Sequence, residues 1–110
     1  MYEKGRSIIS CHIAGFTHYD GLELIDKLKL GTVVTLAAEP ENPYDPEAVL
    51  VLYNNTKLGY IPKTKNEFLS LLLYFGFSDI VEAKINKINL QEYPDIGIIV
   101  KLKDRRKNSD

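Results

Sequence analysis

The chain has 110 residues, 45% apolar and 26% charged, the size and balance of one compact domain around a single core, which excludes a motor, a polymerase or a kinase. Fourteen Lys and Arg against fifteen Asp and Glu leave a formal charge of −1, so diffuse cationic attraction does not carry the chain onto a polyanion, and any such binding must come from a local site. A single cysteine, Cys11, excludes an internal disulfide and, with only His12 and His18 to join it, a tetrahedral structural zinc site.

The elements follow in chain order. Met1 to Arg6 is not followed by an apolar signal segment, and no apolar run approaches the roughly 20 residues needed to span a bilayer, so the chain is expected to be soluble and cytoplasmic. Ser7–Ala14 alternates with period two, placing Ile9, Cys11 and Ile13 on one face and Ile8, Ser10 and His12 on the other, the pattern of a strand. Asp20-Gly-Leu-Glu23 has the form of a capping box and predicts a short helix that Gly31 ends. Thr32–Ala37 and Ala48–Tyr53 are dense in Val and Leu and read as strands covered on both faces. Asn54-Asn55 tolerates positive φ and suits a two-residue hairpin turn into Lys57–Ile61.

A longer helix is predicted over Lys63–Phe75. Pro62 stops the preceding strand, Thr64 and Glu67 form a second capping box, and Gly76 stands where a left-handed C-cap belongs. Phe68, Leu71, Leu72 and Phe75 recur at i, i+3, i+4 and i+7, so Phe68 and Phe75 are expected in the core. Two strands close the chain, Ile80–Leu90 and Ile96–Lys103. In the first, the apolar face switches from Val81-Ala83-Ile85 to Ile88-Leu90, which implies a bulge. In the second, Ile96, Ile98, Val100 and Leu102 point inward and Lys101 and Lys103 outward. The fold class is therefore mainly β (α+β): a small, strongly curved antiparallel barrel or sandwich of about six strands with one short and one longer helix. Residues 1–104 are expected to form the single domain and residues 105–110 a solvated basic tail.

Charge is uneven beneath the near-neutral total: residues 1–50 hold four basic and eight acidic groups, so the first half is −4 and the rest +3. The unusual stretch is Glu39–Glu47, in which Pro40, Pro43 and Pro46 fix φ repeatedly and push each preceding residue toward extended geometry. This stiff loop carries Tyr44 and Asp45 side by side. On the residues alone the favoured reading is a rigid turn in which Asn42 caps the backbone and Tyr44 covers a core edge, although a loop this stiff also holds in place what it carries.

Three segments, Gly15-Phe-Thr-His-Tyr-Asp-Gly21, Glu39-Pro-Glu-Asn-Pro-Tyr-Asp-Pro-Glu-Ala-Val-Leu-Val51 and Leu58-Gly-Tyr-Ile-Pro62, together resemble the HIRAN domain in order and spacing, over roughly residues 7–103. HIRAN domains occur at the N terminus of DNA-repair ATPases and as free-standing bacterial and phage-associated proteins. The resemblance implies an OB-like β-barrel with helices and binding of the 3′ end of single-stranded DNA. It implies that Tyr44 stacks on a base, Asp45 accepts the 3′-hydroxyl, Asn42 makes a polar contact to the terminal nucleotide, and Lys63 meets phosphate. Tyr19 would form part of the same wall, His18 would stack or, when protonated, pair with phosphate, Tyr60 would donate one hydrogen bond, and Phe16 stands open between a stacking platform and a core residue. Thr17 and His18 replace the Arg and Tyr of the family's repair ATPases, and Tyr60 replaces a His, so weaker affinity is expected than in those relatives.

The residues make physical sense of that role: aromatic stacking contributes about 1–3 kcal/mol per base, and a carboxylate accepts from a free hydroxyl while repelling a 3′-phosphate. No cofactor, metal site or catalytic residue is expected, and a separately encoded helicase or nuclease is the expected partner of the DNA-bound module in repair or mobile-element work. A protein-interaction adaptor on the same barrel is the alternative. A nuclease would need clustered acids with a metal or a nucleophile–base pair, and Asp45, Glu47 and His18 are too sparse for that.

Overall fold

Alternating apolar residues build six strands: β1 (Gly5–His12), β2 (Val33–Ala38), β3 (Val49–Tyr53), β4 (Thr56–Tyr60), β5 (Val81–Asn89) and β6 (Asp95–Lys103). A computed structural model describes residues 5–91 and 94–104; the basic tail expected over 105–110 lies outside the described residues. The strands form one antiparallel sheet in the order β1-β6-β5-β2-β3-β4. Its inner face is the core, with Ile96, Ile98 and Val100 of β6 and Val49 and Val51 of β3 fully buried. The fold is mainly β, as the sequence implies.

The sheet curves until its two edge strands meet, but it does not close as a barrel. Ala14, just past β1, and Tyr60, at the end of β4, exchange both backbone hydrogen bonds, at 2.7 and 3.0 Å. Among the described residues, this bridge is what joins the edges. It requires Gly59, whose φ is +149° and at which a Cβ would collide with the Ala14 carbonyl oxygen.

Two local devices match their residues. Asn54 and Asn55 take φ of 48° and 66°, the two left-handed conformations of a type I′ turn whose twist suits the β3–β4 hairpin. The β5–β6 register slips between Ile85 and Lys87, which is the bulge implied by the switch of apolar face. A second slip, between Ser7 and Ile9 in β1, was not implied. Because of it Ile8 and Ile9 both pack against the core, rather than dividing between opposite faces.

The helical segments depart further from expectation. Residues 16–27 form two 3-10 stretches, Phe16–His18 and Asp20–Lys27, and the Asp20–Glu23 capping box is not made. Gly21 instead lies so close against the Phe16 ring that any side chain there would overlap it, and this contact seats the segment. The expected helix over 63–75 is split into a 3-10 turn, Lys63–Lys65, and a shorter helix α1, Glu67–Tyr74, again without a side-chain cap. Asn66 separates them because its side chain is committed elsewhere, donating to Asp45 Oδ2 at 2.9 Å. The C-terminal end of α1 is as expected. Gly76 has φ +88°, its N–H reaches the Leu73 carbonyl and that of Phe77 the Leu72 carbonyl, the paired bonds of a Schellman cap.

The face that α1 buries is not the expected one. Leu69 and Ser70 are buried and Leu73 packs against the core, whereas Phe68, Leu71 and Phe75 are exposed. The core assignment of Phe68 and Phe75 is therefore corrected: with Asn66 buried and bonded to Asp45 at its start, α1 turns Leu69 and Leu73 onto the core, about 100° and 140° around the helix from Phe68. Among the described residues no helix is long and apolar enough to cross a membrane.

Candidate nucleic-acid interface

The proline-rich loop between β2 and β3 is held by its own side chains. Asn42 Oδ1 accepts from the backbone N–H groups of Tyr44 (2.8 Å) and Asp45 (3.0 Å), and Asn42 Nδ2 donates to Glu39 Oε1 at 2.7 Å. Asp45 Oδ1 in turn accepts from the Glu47 N–H at 2.9 Å, and Oδ2 accepts from the buried Asn66 amide. These bonds present the carboxylate and leave the neighbouring Tyr44 89% exposed.

The loop forms one wall of a cleft of about 580 Å³ whose other walls are Ala14, Tyr19, Lys57, Tyr60, Ile61, Lys63 and Asn66. The bridged residues Ala14 and Tyr60 both line this cleft, so the contact between the sheet edges also helps to assemble the site. Tyr19 and Tyr60 stand edge to face, centroids 5.9 Å apart. The Lys57 ammonium lies 4.3 Å from the Tyr19 centroid and 4.7 Å from that of Tyr60, close enough for cation–π attraction to both rings. Tyr60 Oη donates to Glu39 Oε1 at 2.7 Å and receives a longer bond of 3.4 Å from Asn42 Nδ2.

Electrostatics follow from these contacts. The Glu47 N–H first, and then the Asn66 amide, hold the Asp45 carboxyl below the usual carboxylate range, with the Lys63 charge adding to the effect. Burial pushes Glu39 up, but bonds from Tyr60 and Asn42 and the nearby Lys57 charge outweigh it and leave Glu39 lowered as well. Burial raises the Tyr60 phenol, and the Tyr60 hydroxyl raises the Lys57 ammonium. The cleft thus holds two cations, Lys57 and Lys63, and two carboxylates, Glu39 and Asp45. Such a surface offers stacking faces, a hydroxyl acceptor and a small number of phosphate contacts.

Of the eight residues singled out from sequence, Asn42, Tyr44, Asp45, Tyr19, Tyr60 and Lys63 line this one cleft. His18 is exposed beside it, next to Tyr19 in the chain, without lining it. Phe16 does not belong: it is 3% exposed, its ring packed on Gly21 in the core, so it has no face to offer a base. Sequence reasoning missed Glu39, Lys57 and Asn66. Glu39 was legible as the first residue of the stiff loop. Lys57 was not, because strict alternation puts residues 57 and 60 on opposite faces of β4. The register shift that leaves Leu58 as an extra residue brings them together. Cys11 is half-buried, and burial pushes its thiol up despite the Lys65 charge, as expected of an unreactive cysteine.

The same fold occurs in a protein from Lactobacillus plantarum, with a TM-score of 0.72 and 21% identity over 89% of this chain and 96% of that one. It occurs also in the HIRAN domain of human HLTF, with a TM-score of 0.65 and 18% identity over 92% of this chain and 82% of that one. A comparison with curated proteins found no match. The family model of the HIRAN domain matches residues 8–103, the span that contains every strand from Ile8 onward and the whole cleft, and the chain belongs to the HIRAN domain family.

Proposed function

We propose that this nucleic-acid-binding module grips the 3′-hydroxyl end of single-stranded DNA in the Tyr44–Asp45 cleft. The observation that carries the reading is the Asp45 carboxylate, fixed by two donors, beside Tyr44, which is almost fully exposed. Each Asp45 oxygen accepts one protein hydrogen bond and keeps a lone pair, so the carboxylate remains an acceptor for a terminal hydroxyl. The same charge repels a 3′-phosphate or a continuing strand. Tyr44 supplies the stacking face, Asn42 holds the loop and stands at the terminal nucleotide, and Tyr19 and Tyr60 form the opposite wall. Lys63 and Lys57 are the phosphate partners, Lys57 supplying a cation that Thr17 does not. His18 lies at the rim, within reach of the strand leaving the cleft. A module of this kind has no chemistry of its own and positions a separately encoded helicase or nuclease on the bound end.

Fluorescence anisotropy with oligonucleotides ending in 3′-OH or 3′-phosphate tests the reading. The native protein is expected to prefer the hydroxyl end. Asp45→Asn should reduce that preference on the order of tenfold, as for a hydrogen bond to a charged group, and Tyr44→Ala should weaken both ends by the equivalent of about 1–3 kcal/mol. Equal binding of both ends by the native protein would sink it, and a domain that ignores oligonucleotides altogether would act as a protein adaptor instead.

A further inference from the structure

Helix α1 is apolar on both sides. Its inner side, Leu69 and Leu73, lies on the sheet. On its outer side Phe68, Leu71, Leu72 and Phe75 fall within about 100° of arc at 100° per residue, and Phe68, Leu71 and Phe75 are 52%, 53% and 66% exposed. Tyr74, set edge to face with Phe75 at 5.0 Å, and Phe77 beyond the cap extend the patch, both exposed. A helix apolar all round is one that is covered on both faces, and the i, i+3, i+4, i+7 spacing of the outer stripe is the spacing of a helix–helix seam.

We propose that this outer face of α1 is a two-fold interface with a second copy of the chain. Three observations favour a second copy as the occupant. Large side chains of this kind bury roughly 150–250 Å² each; with five of them about half exposed, the patch offers about 500 Å² per copy. Doubled by symmetry, this reaches the roughly 1,000 Å² expected of a specific interface. Antiparallel pairing across a two-fold axis sets the N-terminal end of each α1 against the C-terminal end of the other, so that the two helix dipoles oppose one another. Finally, a net charge of −1 leaves little self-repulsion to oppose association. None of the five patch residues lines the DNA cleft, so the proposal stands independently of the DNA-binding reading.

Sedimentation equilibrium of the full 110-residue chain between about 1 and 200 µM tests it. A monomer–dimer equilibrium in the micromolar range is expected, the weak end for so small an interface. Leu71→Glu, placed on the exposed seam, should weaken it at least about tenfold while leaving the thermal melt at low concentration unchanged. As a second readout, Leu71→Cys in a Cys11→Ser background should form a disulfide-linked dimer on mild oxidation, because residues near the middle of a two-fold seam face their own copies, whereas Lys84→Cys on β5 should not. A native chain that is monomeric throughout this range, or a Leu71→Glu variant that dimerises as the native chain does, would overturn the proposal; in the first case the face would serve a different protein.

Discussion

At the scale of single residues, the side chains that matter most are those that position another group. Asn42 is the example: its oxygen gathers two backbone N–H groups and its nitrogen reaches Glu39, so the loop shape depends on one amide. Asn66 does the same for Asp45 from another element. Because its folded pKa is depressed, Asp45 favours the folded, ionised state above the ordinary carboxylate value near 3.9, and this contribution is lost as pH falls through the lower folded value. Any preference for a 3′-hydroxyl that Asp45 confers should therefore be flat from about pH 5 to 8. Asn66→Ala removes a buried partner and should cost about 1–3 kcal/mol in urea unfolding. It should also move the Asp45 carboxyl up toward its ordinary value in an NMR titration. An unmoved Asp45 would show that the Glu47 N–H alone holds it.

At the scale of elements, α1 shows how a sequence pattern can mark a real feature and mislead about its place. The stripe Phe68-Leu71-Leu72-Phe75 is present as a stripe, yet it faces out, and Leu69 makes the contact with the core. Truncation separates the two placements. Leu69→Ala should destabilise the fold by about 2–5 kcal/mol, as for other fully buried leucines. Phe68→Ala should cost about 0.5 kcal/mol or less when measured on the dilute protein. Equal losses would return Phe68 to the core. Both capping boxes are absent: Tyr19 precedes the 3-10 stretch Asp20–Lys27 and Asn66 precedes α1, neither with a side-chain cap bond, while Gly21 packs on Phe16 and Asn66 bonds Asp45. The Schellman cap at Gly76 formed because it depends on backbone conformation alone, and glycine reaches φ +88° without penalty.

At the scale of the whole molecule, the near-zero charge bears on mechanism. A protein that coats a nucleic-acid backbone needs many cations, whereas this cleft carries two, Lys57 and Lys63, balanced by Glu39 and Asp45. Two phosphate contacts on a single strand correspond to a slope of log affinity against log salt of about −1.4. Binding measured between about 50 and 300 mM salt should give that shallow dependence, and Lys57→Met should reduce it by about half. A much steeper slope would move the binding surface away from the cleft. The architecture supports a contained site of this kind, because both residues of the bridge between the sheet edges, Ala14 and Tyr60, line the same cleft as the Tyr44–Asp45 loop.

Local chemistry was enough to determine six strands, the Asn54-Asn55 turn, the β5 bulge, the Gly76 cap and the loop bearing Tyr44 and Asp45, since each depends on backbone preference or on neighbours within a few residues. Six of the eight residues marked for the site also came together in one cleft. The tertiary structure alone decided that Phe16 goes inside, that α1 turns its apolar stripe outward, and that Lys57 joins Tyr19 and Tyr60. Those outcomes depend on contacts between residues distant in sequence, such as Asn66 with Asp45 and Tyr60 with Ala14, and on bulges that reverse which face a side chain occupies. A period read along one segment carries no information about the partner that will later fix its rotation or its register.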